Sequence, residues 1–215
     1  MSKANKSNKA IKYRLYPNDE QKVMFAKTFG CCRFVYNQLL ALQKQRYKDG
    51  ESHLSKLKSN EFATRTLKKD YDFLKEIDKF AVSNAVFHLA DAYDRFFKKQ
   101  NHFPKFKSKR KSKKSYTTNF TNNNILIGKN VIKLPKVGMV KAVIHKLPKD
   151  DWKLKSVTVS QDSVGNYFAS VLFEYEQEDI PSVSKSSTNA IGLDYKSDGL
   201  YMDSNGNKAG GHKYY

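Results

Sequence analysis

The sequence is short of carboxylates. It carries 21 Asp and Glu against 40 Lys and Arg, a formal net charge of +19. Such a field repels basic partners and attracts polyanions, so nucleic acid is the first candidate partner and an anionic membrane surface the second. Long apolar runs are missing too. Nothing approaches the ~18 consecutive apolar residues of a membrane-spanning helix. The opening MSKANKSNKA is basic with no apolar stretch behind it, which excludes the pattern of a secretory signal. Cysteine is nearly absent. Cys31 and Cys32 are neighbours, a spacing in which a disulfide is strained, and no second cysteine pair completes a zinc site. Two small buried side chains on a helix is the better reading, in a reducing, cytoplasmic setting. The five histidines, His53, His88, His102, His145 and His212, share no spacing, so none is assigned to catalysis.

Apolar residues make up 39% of the chain and aromatics 13%, enough to bury a core. Residues 1 to 10 read as a basic tail. AIKYRLYP then alternates, with Ile11, Tyr13 and Leu15 on one face and Lys12, Arg14 and Tyr16 on the other, the pattern of a half-buried strand ended by Pro17. Asn18 followed by Gln21 has the form of a capping box, and a helix follows. Gly30 is expected to bend or interrupt that helix, a pattern that permits a helix-turn-helix reading. A polar loop covers 49–60 and a short helix follows. Val82, Ala85, Val86, Leu89, Ala92, Tyr93 and Phe96 then form the clearest helical stripe in the chain, and Pro104 is expected to end it. Strands follow in NILIG, VIKLPKVGMVKAVI, LKSVTVSQD and NYFASVLFEYE, with Gly165-Asn166 as a hairpin turn. A polar linker precedes a last segment of short strands around IGLDY. The organisation reads as α+β: one β-rich domain split by a helical insert.

Composition shifts sharply between residues 98 and 114. Lys98, Lys99, Lys105, Lys107, Lys109, Arg110, Lys111, Lys113 and Lys114 stand there with no Asp or Glu. Solvated faces mix signs; a pure cationic stretch neutralises phosphates and releases counterions. Phe106 and Tyr116 among these cations are candidates to stack on unpaired bases. Arg14 and Arg33 are further candidates for phosphate. Asp194, after an apolar approach, is a candidate Mg²⁺ ligand. Two-metal phosphodiester cleavage needs several carboxylates around ions ~4 Å apart, and Asp198 and Asp203 read as turn residues.

Taken in order, YRLYP, FGCCRFVYN, AVSNAVFHLADAYDRFF, FPKFKSKRKSKKSYTTN, IKLPKVGMV, KSVTVS and IGLDY resemble the OrfB or TnpB proteins of bacterial insertion sequences, long labelled transposases and similar to compact RNA-guided DNA endonucleases. The resemblance runs from about Lys12 to Asp203. It implies a basic tail and first wedge strand at 1–17, a helical recognition domain at 18–100, a basic loop and β-rich wedge domain at 101–180, a linker at 181–189, and the first strands of an RNase H-like (RuvC) nuclease at 190–215. It implies guide RNA and target DNA as partners, with pairing reading the sequence, and no membrane or small-molecule substrate. Asp194 becomes the first metal-holding carboxylate. The family's second carboxylate, its paired CxxC motifs and its final aspartate have no counterpart in these 215 residues. The expectation is therefore a front portion of an RNA-guided nuclease. It binds nucleic acid but does not cut, and it lies in the bacterial cytoplasm beside the nucleoid. The alternatives are a retained RNA-guided repressor and a plain helix-turn-helix DNA-binding protein.

Overall fold

In the computed structural model, which describes residues 5–177, 191–195 and 199–210, the first strand begins earlier than the sequence suggests. β1 spans Asn5–Tyr16. Ile11, Tyr13 and Leu15 are buried, as their alternation requires. Residues 5–10, expected in a tail, are strand. They pair antiparallel with the far end of β7 (Tyr167–Gln177), from Asn5 opposite Gln177 to Leu15 opposite Tyr167. Polarity alone mimicked a tail; a strand almost the length of the chain away satisfies the backbone.

Asn18 caps α1 (Asp19–Lys48). Its Oδ1 accepts from the Gln21 N–H at 2.8 Å, and the Gln21 side chain accepts from the Asn18 N–H at 3.1 Å. α1 runs unbroken for 30 residues, so Gly30 does not interrupt it. Phe25, Phe29, Cys32, Val35, Tyr36, Leu39 and Leu40 bury a continuous stripe along it. That packing outweighs the glycine's cost of about 1 kcal/mol. Four short segments follow: α2 (Lys56–Glu61), a π-helical turn (Phe62–Leu67), α3 (Lys68–Asp70) and a 3₁₀ turn (Asp72–Lys75).

α4 (Lys79–Phe97) is capped by Asp78, and Val82, Ala85, Val86, Leu89 and Tyr93 are its buried stripe. It ends at Phe97, well before Pro104. The Lys98, Lys99 and Gln100 N–H groups donate back to the carbonyls of Asp94, Phe96 and Arg95 at 2.9 to 3.0 Å. Lys99 takes the left-handed conformation at φ 57°, a helix-terminating geometry of the kind glycine more often supplies.

The remaining strands of the large sheet are β2 (Lys114–Asn119), β3 (Leu126–Ile127), β4 (Val131–Leu134), β5 (Gly138–Val143) and β6 (Lys153–Gln161). The single run VIKLPKVGMVKAVI is split between β4 and β5 by a turn in which Lys136 and Gly138 take positive φ. The sheet order is β2-β6-β7-β1-β5-β4-β3, antiparallel throughout. β1 thus lies inside the sheet between β7 and β5, and the helical segment is an insertion after the first strand of an antiparallel sheet.

One face of the sheet is apolar. Tyr13, Val157, Val159, Ala169 and Val171 are fully buried in a core shared with Phe25, Val35, Leu39 and Val82. Each such large side chain stabilises the fold by about 1.5–3 kcal/mol relative to exposure. Polar ties fix the helices to the edge strand. The Thr118 hydroxyl donates to Asp78 at 2.6 Å while Asp78 accepts from Ala81 N–H. Asn84 donates to the Thr117 carbonyl at 3.0 Å.

The chain divides into two compact units, Met1–Gln177 and Glu178–Tyr215. The second contains a small antiparallel meander in the order β10-β9-β8, of β8 (Leu193–Tyr195), β9 (Tyr201–Asp203) and β10 (Lys208–Ala209). The expected linker, 181–189, lies outside the described residues.

Candidate nucleic-acid interface

The cationic stretch is held to α1 by backbone hydrogen bonds at Lys107. The Asn37 side chain, on α1, pairs with the backbone of Lys107 in both directions. Its amide donates to the Lys107 carbonyl at 2.9 Å and its oxygen accepts from the Lys107 N–H at 2.8 Å. Lys107 itself turns inward. Its Nζ lies 4.0 Å from the centre of the Tyr36 ring, and burial lowers its pKa from the ordinary lysine value. Lys107 is thus a half-buried strut of the loop, unlike the exposed cations that follow it. Lys44 on α1 reaches over Phe103 and Phe106 at 5.4 and 4.8 Å, a second cation–aromatic tie.

Beyond this anchor the loop tightens. The Ser108 Oγ accepts from the Lys111 N–H at 3.0 Å, and the Ser112 Oγ accepts from the Ser108 N–H at 2.9 Å. The sequence SKRKS is therefore a serine-closed turn with Lys109, Arg110 and Lys111 exposed on it. Lys98, Lys99, Lys105, Lys113 and Lys114 are exposed as well, and so is Phe106. A turn that closes on its own serines and presents three adjacent cations suits phosphate contact.

A second cationic surface is the sheet face opposite the core. Alternation puts Lys12 and Arg14 there, since Ile11, Tyr13 and Leu15 point into the core. Register aligns Thr117, Thr158, Ser170 and Lys12 in one row across four strands, and Ser115, Ser160, Phe168 and Arg14 in the next. Lys12 Nζ stands 4.2 Å from the Phe168 ring centre; the Arg14 guanidinium stands 5.0 Å from Phe168 and 5.4 Å from Tyr16. The Arg14 Nη2 donates to Asn166, whose own amide donates to Asp162 at 3.0 Å. The hairpin turn thereby orients the arginine. Hydroxyls, cations and an aromatic ring on one sheet face are the groups that contact phosphate, sugar and base. Sequence reading named Arg14 but missed Lys12, Phe168 and the hydroxyl row. The period-two pattern of β1 pointed to Lys12; the row itself needs the cross-strand register.

Other predicted residues fall elsewhere. Tyr116 is 3% exposed and packs against Phe25 and Phe29 at ring distances of 6.3 and 5.9 Å. It cannot stack on a base without unfolding the edge of the sheet, which corrects its assignment. Arg33 is half-exposed on α1 and lines a shallow cleft with Lys27, Phe73 and Glu76, separate from both cationic surfaces. Cys31 and Cys32 are free and buried; burial pushes the Cys32 thiol up to about 12, so it is a packing group.

Asp194 stands in β8 opposite Met202, and its side chain is exposed. Asp203 is spent on a turn, accepting from the N–H groups of Asn205 and Asn207 and from the Asn207 amide. Asp198 lies outside the described residues. Among the described residues no three His, Cys, Asp or Glu side chains converge to hold a metal ion. No helix among the described residues is long and apolar enough to cross a membrane.

Comparison with known proteins sharpens the picture. Residues 7–52 match the helix-turn-helix domain of the OrfB proteins of IS605-type elements. Here those residues fold as β1, the unbroken α1 and the turn after it. A protein of Streptomyces pristinaespiralis named "Putative RNA-guided DNA endonuclease" is 30% identical over 202 residues, 93% of this chain and 49% of that protein. "Putative RNA-guided DNA endonuclease InsQ" of Escherichia coli (strain K12) is 29% identical over 192 residues, 86% of this chain and 44% of its own length. "Virulence protein VsdF" of Salmonella dublin is 32% identical over 111 residues, 47% of this chain and 93% of its own. The chain spans about half the length of the first two relatives. With an OrfB-type domain at its front and colinear similarity of that extent, the chain belongs to the OrfB/TnpB family of transposon-encoded proteins.

Proposed function

We propose that this chain is the nucleic-acid-holding part of an RNA-guided DNA endonuclease, binding a guide RNA and the DNA it pairs with. The observation that carries this reading is the serine-closed turn of Lys109, Arg110 and Lys111, in a carboxylate-free stretch clamped to α1 by Asn37. In this reading the large sheet is the wedge domain and the helices between β1 and β2 are the recognition domain. The chain reads backbone shape and charge, and base pairing reads sequence. The meander carrying Asp194 is the opening of a RuvC-like nuclease, with Mg²⁺ supplying the chemistry only where further carboxylates join it. The described residues hold nucleic acid and are not assigned the cut. Their place is the cytoplasm, beside the nucleoid. The match of residues 7–52 to a helix-turn-helix domain keeps a helix-turn-helix DNA-binding protein as the second reading, though α1 is continuous across Gly30 and any turn of that motif lies elsewhere.

The test is recovery of RNA. Purified at low salt from cells that also transcribe the end of the parent element, the chain is expected to carry RNase-sensitive RNA from that end. The recovered complex is expected to retain DNA matching the guide over mismatched DNA. Recovery of no RNA, together with equal retention of both DNAs, contradicts the reading.

A further inference from the structure

At the ends of α1 and α4, next to the start of the cationic loop, lies a pit of about 570 Å³, within the ~300–1,000 Å³ range of ligand clefts. Its walls are rings. His53 stands edge-on to Tyr93 at 4.6 Å between ring centres, Tyr93 lies nearly parallel to Phe97 at 6.2 Å, and Phe103 meets Phe96 edge-on at 5.2 Å. Tyr47 is 84% exposed and Phe97 65%. The backbone that shapes the pit is pinned, because Gln43 pairs with both the N–H and the carbonyl of Leu54.

Cations surround these rings. Lys44 and Lys48 are on the pit wall. Lys98 and Lys99 follow Phe97 directly, and Lys105 follows Phe103 by two residues. The one carboxylate on the wall, Glu51, is ion-paired with Arg46. Flat apolar walls ask for a flat ligand. Asp94 acts on His53 and Asp49 follows Lys48, but Lys44, Lys48, Lys98, Lys99 and Lys105 outnumber these carboxylates, and a rim with an excess of cations asks for an anion beside the ring. An unpaired nucleotide has both: a base to stack and a phosphate on each side. A peptide offers rings or charge only by accident of its sequence.

We propose that this pit is a stacking site for one unpaired base of a single-stranded stretch of RNA or DNA. Tyr47 and Phe97 form the platform and Lys44 and Lys48 contact the flanking phosphates. The proposal rests on the reading of the chain as a nucleic-acid-binding protein, and adds that one of its surfaces selects unpaired over paired strands.

The experiment uses the whole 215-residue chain and a single strand of about 12 nucleotides, within the span such sites cover, with 2-aminopurine at its centre, beside the same strand in a blunt duplex. Binding is expected to change the 2-aminopurine emission in the single strand and not in the duplex. Tyr47→Ala with Phe97→Ala is expected to abolish that change and weaken single-strand binding about tenfold, as removal of one base–aromatic stack does. Duplex affinity and the salt slope stay as in the wild type, since stacking involves no counterions. Phe97→Trp, which keeps a platform, is expected to bind as the wild type does. Unchanged emission and affinity in the double variant, or equal weakening for single strand and duplex, overturns the stacking site while leaving the cationic loop as the binder. A wild-type chain that binds neither probe overturns the underlying reading instead.

Discussion

Tyr116 and Lys107 show how far residue type alone carries a functional assignment. Both stand in a stretch whose composition points to phosphate and base, yet both face inward. Alternation along β2 buries Tyr116 next to Thr117, and the Asn37 clamp folds Lys107 over Tyr36. The Tyr116 hydroxyl is buried with no hydrogen-bond partner, and burial raises its pKa. An unpaired buried hydroxyl contributes a desolvation cost and nothing in return. Tyr116→Phe is therefore expected to leave stability unchanged or raise it by up to ~1 kcal/mol, with nucleic-acid affinity intact. Thermal melting and a binding isotherm check this; a lower melting temperature or weaker binding contradicts the placement. Asn37 shows the opposite error. Nothing in FVYN singles it out as functional, because its role is to hold backbone 70 residues away. Asn37→Ala removes two hydrogen bonds, with a cost of about 1–3 kcal/mol. It is expected to weaken nucleic-acid binding although Asn37 touches none, because the loop must then be ordered on binding. Equal affinity with lower stability would show that the clamp serves the fold alone.

Among the elements, those with a strong period were legible and those defined by long-range partners were not. The capping box at Asn18, the stripe of α4 and the Gly165 turn follow from local chemistry. The front half of β1 does not, since its polar residues become strand only through β7. Gly30 misled for a related reason: glycine breaks an isolated helix more readily than one held along its length by Phe25, Phe29, Val35 and Leu39. A Cβ built at Gly30 meets only the Arg33 side chain, at 4.0 Å, an ordinary van der Waals distance. Gly30→Ala is thus expected to stabilise the protein by about 0.5–1 kcal/mol through helix propensity. Denaturant titration would register the shift as a higher midpoint with an unchanged slope; destabilisation would mean that the position needs a glycine after all. At the other helix, Asp78 both caps α4 and accepts from Thr118 while 7% exposed. Asp78→Ala is expected to cost about 2–4 kcal/mol, summing a missing cap and an orphaned buried hydroxyl. A decrease below about 1 kcal/mol, the cost of a cap alone, contradicts this coupling of helix to sheet when measured the same way.

For the molecule as a whole, charge and order of motifs were the readable signals. A net charge of +19 suits a polyanionic partner, and the ordered motifs point to the family. Composition did not give the geometry that sorts the cations into struts and outward-facing groups. That sorting arises from register across strands far apart in sequence and from side chains such as Asn37 and Asn84 that bond to distant backbone. The catalytic side stayed equally opaque, because one carboxylate in one strand has no chemistry apart from the groups it meets. The central claim is that this protein grips nucleic acid through the outward cations of its carboxylate-free loop. It is tested most directly by the salt dependence of duplex binding in the wild type and in the Lys109→Ala, Arg110→Ala, Lys111→Ala triple variant. The slope of log K against log salt is expected to flatten by roughly 0.9 for each phosphate that the variant no longer neutralises, with melting temperature unchanged because all three side chains are exposed. An identical slope in the two proteins would place the grip elsewhere and contradict the account.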